Sequence, residues 1–353
     1  MTINSGLDET ALDAYLHANL RSYAGRYSVS ALSGGQSNPT FVLTGKGQKL
    51  VLRKKPGGAL LPSAHAVDRE YRVISALKGS GVPVAKAECY CDDAAVIGTP
   101  FYVMDFVEGR QFMDPALPEL SAKERALIWD EFNRVIATLH SVDYAALGLG
   151  DYGRPGNFLA RQIARWTKQY RASETERIET MERLIEWLPL NIPAGDDTAI
   201  VHGDLRIDNL MFHPVEPRII AVLDWELSTL GHPLPDLAYH VMSWRLTSEQ
   251  FRGMAEHDLP SLGIPSEEEY LERYCERLGR GKIDPPEWEF HMAFSMFRLA
   301  AILQGIVRRA LDGNASNSEA LTVGRRARTI ADVAWQQVKK LLADKPARID
   351  SQI

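Results

Sequence analysis

Cysteine is scarce in this chain. Three residues, Cys89, Cys91 and Cys275, occur among 353, and no C-x-x-C pair is present. Three thiols cannot build a disulfide framework, and the missing C-x-x-C spacing argues against a zinc site. Free thiols fit a reducing compartment, so a cytoplasmic protein is expected. Positive charge is also short: 40 Lys and Arg stand against 46 Asp and Glu, for a net charge of −6. That balance gives no global basic surface, and no nucleic-acid partner is expected. The N-terminal stretch M-T-I-N-S-G-L-D-E-T has neither a basic n-region nor an apolar h-region, so no signal peptide is expected. Long uninterrupted apolar runs are missing as well. The best candidate, Met292 to Val307, is short and broken by Arg298 and Gln304. It reads as a buried helix, and no membrane association is expected. No repeat or low-complexity tract is visible.

What is present is apolar residue in quantity, 45% of the chain, enough for a large core and for two lobes. Asp8 to Leu20 reads as an amphipathic helix with Leu12, Tyr15, Leu16 and Leu20 on one face. The period then changes. Tyr27 to Leu32, Thr40 to Thr44 and Leu50 to Lys54 read as antiparallel strands broken by glycine clusters. A helix over Ala64 to Leu77 follows, with Val67, Tyr71, Ile74 and Leu77 as its buried stripe, ended by Gly79 and Gly81. Val84 to Cys91 and Pro100 to Phe106 complete five strands. Beyond Val107 the spacing turns helical, over Ala122 to His140, Phe158 to Tyr170 and Glu174 to Leu188, and again from Pro235 onward. The expected fold class is α+β: a small five-stranded antiparallel lobe carrying one helix, and a larger, mainly helical lobe. The expected division is an N-terminal helix over 1–25, a nucleotide-binding lobe over 26–107, and a catalytic and substrate lobe over 108–353.

The most informative stretch is V-H-G-D-L-R-I-D-N-L-M-F, Val201 to Phe212. Asp204 and Asn209 stand in D-x-x-x-x-N spacing. A short hairpin, Leu210 to Phe212 and Ile219 to Leu223, then leads to Asp224. Carboxylate, amide and carboxylate in that order suit phosphoryl transfer from Mg-ATP to a hydroxyl. Asp204 would orient the accepting hydroxyl; Asn209 and Asp224 would hold Mg²⁺. Gly34-Gly35-Gln36-Ser37-Asn38 joins the first two strands, and its glycines would let backbone N–H groups approach phosphates.

The motif H-G-D-x-x-x-x-N, an aspartate about fifteen residues on, and G-x-P-x-x-D-L-A resemble the aminoglycoside phosphotransferase and choline kinase group of small-molecule kinases, which have a bilobal, protein-kinase-like fold. A narrower likeness lies in V-L-R-K-K-P-G-G-A-L-L-P-S-A-H-A-V-D-R-E-Y-R, which resembles the kinase-like domain fused to acyl-CoA dehydrogenase in some eukaryotic proteins. No dehydrogenase portion is visible here. The resemblance implies further parts. Arg206 would contact the γ-phosphate. Arg53 (in place of the family lysine, and in preference to Lys54) would contact the α- and β-phosphates, paired to Glu70. Met104, Asp105 and Val107 would line the adenine. Asp236 would brace the catalytic loop, and His202 would be structural. Glu226 would either assist the metal or be a solvated carboxylate.

Only residues 225–235 lie between Asp224 and Asp236, and no A-P-E occurs there. A peptide-docking activation segment has no room, so the acceptor is expected to be a small hydroxyl compound. The resemblance implies a 4-hydroxyacyl-CoA; an aminoglycoside, a choline-like alcohol or a sugar are the alternatives. Trp166, Trp187, Trp244 and Trp288 could line its pocket, and Arg308, Arg309, Arg325, Arg326 and Arg328 could meet coenzyme A phosphates. The rival to an enzyme is a nucleotide-binding pseudokinase or scaffold, against which the intact Asp204, Asn209 and Asp224 count.

Overall fold

In a computed structural model of the chain, residues 7–32, 38–57, 66–195, 197–313 and 320–343 are described. Gly34, Gly35, Gln36 and Ser37, expected to approach phosphates, lie outside them. In chain order the elements are α1 (Glu9–Asn19), β1 (Ser28–Ala31), β2 (Thr40–Gly45), β3 (Gln48–Lys54), α2 (Val67–Leu77), β4 (Ala87–Cys91), α3 (Ala94–Ile97) and β5 (Phe101–Asp105). They continue with α4 (Ala122–Ser141), α5 (Phe158–Ser173), α6 (Glu179–Trp187), β6 (Ala199–Val201), β7 (Leu210–Phe212), β8 (Ile219–Val222) and β9 (Thr229–Gly231). The chain then closes with α7 (Pro233–Val241), α8 (Ser248–Phe251), α9 (Glu267–Leu278), α10 (Pro285–Leu311), α11 (Ala320–Gly324) and α12 (Arg326–Ala343). The expected α+β class holds.

Two compact units result, and they do not follow a single cut near Val107. One comprises 1–111, 142–153 and 208–229; the other comprises 112–141, 154–207 and 230–353. The first unit therefore recovers two segments that sequence order had assigned to the helical lobe, one of them the β7–β8 hairpin with Asn209 and Asp224.

In the first unit an antiparallel sheet runs in the order β1-β2-β3-β5-β4. Strand alternation gives β3 two distinct faces. Leu50 and Leu52 are fully buried in a cluster with Leu12, Leu16 and Leu20 of the α1 segment, together with Phe101 and Val103. Val51 and Arg53 take the opposite face, that of α2. Helix α1 starts where the Asp8 carboxylate accepts the Thr10 and Ala11 amides. On α2 the buried set is Val67, Glu70, Val73, Ile74 and Leu77. Tyr71, expected in that stripe, is only half-buried, and Glu70 is inside instead. Gly79 and Gly81 follow at φ +82° and +91°, which favours residues without a Cβ. After β5 the chain bridges to β7, with Arg110 and Phe212 exchanging two backbone hydrogen bonds of 2.8 Å. A Cβ on Gly109 would sit 2.2 Å from the Phe212 carbonyl oxygen, so that approach requires glycine.

In the second unit α10 is the central helix. It is long and apolar enough to cross a membrane by length and composition, yet 78% of its most apolar window is buried within the protein. That burial is what the Met292 to Val307 reading expected. An aromatic cluster of Trp129, Phe132, His240, Trp244 and Tyr270 ties α4, α7 and α9 together. Burial pushes the His240 imidazole down to about 3, so it stays neutral there.

Candidate functional site

The first unit gathers charge around Arg53. One guanidinium nitrogen meets Glu70 at 3.0 Å, and another meets Asp224 at 2.7 Å and lies 3.7 Å from Glu226. Glu70 is fully buried, and also accepts from Asn38 Nδ2 at 2.7 Å and from the Tyr102 hydroxyl at 3.0 Å. Of the two candidate cations, Arg53 is the one on the α2 face. Lys54 points the other way, and its ammonium is 3.4 Å from the Ile97 carbonyl. Asn38, expected to face phosphates, spends its side-chain amide on Glu70. Burial pushes the Glu70 carboxyl up to about 7; Arg53 and the Tyr102 hydroxyl oppose the rise, while Asp224 and Glu226 add to it. The paired cation alone would have lowered it, so desolvation outweighs the attraction here. Burial likewise works against the Arg53 charge, but Glu70, Tyr102 and Asp224 raise its pKa above the ordinary value.

Asp224 is held in a conformation that side chains rarely adopt, φ 65° and ψ 59°. For a non-glycine residue this costs about 1–2 kcal/mol. The turn that follows fixes it: Trp225 Nε1 donates to the Val222 carbonyl at 2.9 Å, and Ser228 Oγ donates to the Trp225 carbonyl at 2.6 Å and touches the Tyr152 hydroxyl at 2.6 Å. Asn209 enters through the hairpin. Leu210 pairs with Val222, and the Leu223 amide donates to the Asn209 carbonyl at 2.8 Å. A neutral amide oxygen is thus carried on the strand opposite the residue before Asp224. Three carboxylates share one guanidinium, a formal surplus of two negative charges, and the Asp224 side chain is 36% exposed. Hard oxygen donors with surplus negative charge fit a divalent cation such as Mg²⁺. Met104 and Asp105 end β5. The Asp105 amide donates to the Lys86 carbonyl at 2.9 Å, which removes it from the donors an adenine could use. Val107 follows, half-buried, beyond the strand.

The second unit holds the Asp204 loop. Asp236, near the start of α7, accepts the His202 amide at 2.7 Å and the Gly203 amide at 2.8 Å, and lies 3.3 Å from His140 Nε2. Burial pushes its carboxyl up, but the bond and charge of His140, then His202, outweigh that and leave it below the ordinary range. His202 is buried, and its Nδ1 accepts the Asp204 amide at 3.2 Å, which is the work of a structural histidine. The Asp204 carboxylate meets Arg206 at 3.3 Å. Sequence reasoning missed three supports. Tyr239 is bonded to Asp204, and its hydroxyl is pushed up to about 12 by burial first and then by Asp204. Arg298 stacks over Tyr239 at 4.6 Å and donates to the Gly203 carbonyl. His140 in turn is held by the Tyr274 hydroxyl at 2.8 Å. Arg298 did leave a signal, as a charge inside an apolar helix.

The acceptor candidates do not converge. Trp244 packs on Trp129 and Trp166 lies under Arg298, whereas Trp288 and Trp187 border two different cavities. Arg308 is paired with Asp312, and Arg328 with Glu176.

A five-stranded sheet with a buried Arg–Glu pair, and an H-G-D loop braced by a following aspartate, define a kinase-like phosphotransferase. A model of the phosphotransferase enzyme family matches residues 28–291, and the chain belongs to that family. Acyl-CoA dehydrogenase family member 10 of Mus musculus is 46% identical over 337 residues, 95% of this chain but 31% of that one, so this chain spans about a third of that relative. A Ralstonia eutropha chain classed with the aminoglycoside phosphotransferases has a crystal structure matching at TM-score 0.88 and 53% identity, over 95% of this chain and 99% of that one. The fold extends to aminoglycoside phosphotransferase APH(4)-Ia, solved with AMP-PNP and hygromycin B, at TM-score 0.58 and 15% identity over 92% of this chain and 98% of that one.

Proposed function

We propose that this protein moves the γ-phosphoryl group of ATP to a hydroxyl of a small molecule, and that the acceptor is a hydroxyacyl thioester of coenzyme A, phosphorylated on a chain hydroxyl such as the 4-position. The surplus of carboxylate around Arg53 carries the reading, because a structural ion pair needs one carboxylate and this cation has three. Asp224 and Asn209 would hold the Mg²⁺, whose charge offsets that of the phosphates. Arg53, positioned by Glu70, would hold the phosphates. Asp204 orients the acceptor hydroxyl and takes its proton as the new O–P bond forms and the bond from the γ-phosphorus to ADP breaks. Arg206 steadies the oxygens in transit. The acyl-CoA acceptor is favoured because a relative sharing 46% of its residues over nearly all of this chain is named for acyl-CoA chemistry. The three buried cysteine thiols suit a reducing cytoplasm.

The test is ATP consumption, with and without Mg²⁺, across 4-hydroxyacyl-CoAs, choline, sugars and aminoglycosides. Turnover only with the thioesters supports the full reading. Turnover with another alcohol corrects the acceptor alone. Nucleotide binding with no turnover on any member overturns the enzyme reading in favour of a scaffold.

A further inference from the structure

Apart from the phosphoryl-transfer groups, the second unit contains a second cluster with ligand chemistry: His232, Glu287 and His291, whose ligand atoms all lie within 4.8 Å of one another. His232 is the residue that caps α7. Its Nδ1 accepts the Leu234 amide at 3.3 Å, so Nε2 is the ring nitrogen a cation could use. Glu287 and His291 are one turn apart on α10, on the same face. The His291 side chain is wholly buried, yet among the described residues neither of its ring nitrogens has a hydrogen-bond partner. The Glu287 oxygen stands 3.8 Å from His291 Nε2, beyond hydrogen-bond reach. The two imidazoles are nearly parallel, at 27°, with centroids 5.0 Å apart.

A buried imidazole whose Nδ1 has no hydrogen bond among the described residues, and whose Nε2 has only a carboxylate 3.8 Å away, is costly, and a protein that keeps one needs a reason. Each ring has a nitrogen open to a cation: Nε2 in His232, whose Nδ1 is taken by the Leu234 amide, and a ring nitrogen of His291 that no hydrogen bond occupies among the described residues. The charged neighbours of the two rings are Glu287, Asp197 and Arg280, of which Asp197 and Arg280 are 4.0 Å from each other and so largely offset. Glu287 also borders a cavity of about 340 Å³ lined by Trp187, Asn191, Pro193 and Asp284, which gives an ion a way in and room for a fourth ligand.

We propose that His232, Glu287 and His291 bind a zinc ion. Two imidazoles and one carboxylate with an open position are a zinc donor set. Bonds of about 2.0–2.1 Å place tetrahedral ligand atoms about 3.4 Å apart, so the three side chains close in by rotamer adjustment. The absence of C-x-x-C spoke only to cysteine sites. Zinc here would clip the start of α7 to α10. Helix α7 carries Asp236, which grips the His202 and Gly203 amides; α10 carries Arg298, which grips the Gly203 carbonyl. The ion would thus hold in register the two helices that shape the Asp204 loop.

The full chain is stripped with a chelator, dialysed and titrated with Zn²⁺ against a chromophoric competitor, with thermal unfolding followed in parallel. One equivalent should bind, with a rise in melting temperature. Glu287→Gln, which alters a partly exposed side chain, and His232→Ala should each weaken binding by about a hundredfold, while Asp224→Ala should leave it intact. X-ray absorption of the loaded protein should show two imidazole ligands. No stoichiometric binding by the wild type, or binding lost in Asp224→Ala and kept in Glu287→Gln and His232→Ala, overturns the proposal.

Discussion

Replacing Asp236 by asparagine probes the support of the Asp204 loop, and its cost can be worked from the contacts. The carboxylate uses one oxygen for the Gly203 amide and the other for the His202 amide and His140, with only 1% of its side chain exposed. Asparagine keeps one acceptor oxygen and turns an NH₂ toward the remaining partners. One charge-assisted bond is lost, about 1.5–3 kcal/mol, and one buried amide is left facing a donor, about 1–3 kcal/mol. The sum, about 2.5–6 kcal/mol, brackets the usual cost of about 3–5 kcal/mol for breaking a buried pair and is a large share of a domain's about 5–15 kcal/mol. Urea unfolding followed by tryptophan fluorescence measures it. The pH dependence gives a second check. The folded carboxyl is held below its ordinary 3.8, so its stabilisation is fully present above that value and is lost as pH falls through the folded one. The gap between wild type and variant should therefore be constant near neutrality and shrink in acid below 3.8. A loss under about 1 kcal/mol at neutral pH, or a gap that widens in acid, would refute the claim that this carboxylate supports the loop.

Three further outcomes are expected. Asp204→Ala should abolish phosphoryl transfer while ATP still binds by calorimetry; wild-type turnover would remove Asp204 from its assigned role. Arg53→Lys keeps the charge but cannot span Glu70 and Asp224 with one fork, so Mg-ATP affinity should fall about tenfold, the worth of about 1.4 kcal/mol, and an unchanged Kd would count against Arg53 as the phosphate cation. Glu70 titrates near 7 in the folded chain against an ordinary 4.5, so the folded state holds the extra proton between those values. Its contribution to stability is greatest below pH 4.5 and is lost as pH rises through 7, and Glu70→Gln should flatten that slope in urea midpoints measured across the window.

The parts of this protein that sequence makes legible are the local ones. Asp8 caps a helix, five runs of β-forming residues make five strands, and D-x-x-x-x-N followed by a hairpin sets Asn209 across from the residue before Asp224, all through neighbours close in the chain. Periodicity failed where chemistry overrode it. The α2 stripe pointed to Tyr71 as buried, but Arg53, Asn38 and Tyr102 together make it favourable to bury Glu70, and three partners from three different segments leave no mark in the helix's own spacing. The same holds for Tyr239 and Arg298, which reach the Asp204 loop from distant segments, and for His140, which supports it through Asp236. The division of the chain was hidden for a related reason. Residues 142–153 return to the first unit through contacts such as Tyr152 with Ser228 and Arg69, which no composition shift announces.

Arginine at position 53 is the clearest departure from the lysine that the family resemblance suggests, and the geometry gives it a physical sense. A lysine ammonium is a point charge that satisfies the helix carboxylate and then reaches for phosphate. A guanidinium has separate nitrogens for Glu70 and Asp224, so one side chain links the α2 carboxylate to Asp224. The fork also holds the Asp224 carboxylate at 2.7 Å, against the repulsion of Glu70 and Glu226. If Asp224 holds the divalent ion, that ion would share the carboxylate with Arg53, and the guanidinium nitrogen now on Asp224 would be the one placed to meet the phosphates. Metal and phosphate binding would then be coupled through one side chain. In Arg53→Lys, Mg²⁺ and ATP should bind more nearly independently of each other than in the wild type, and equal coupling in the two proteins, measured by titrating nucleotide at several Mg²⁺ concentrations, would show that the fork plays no such part.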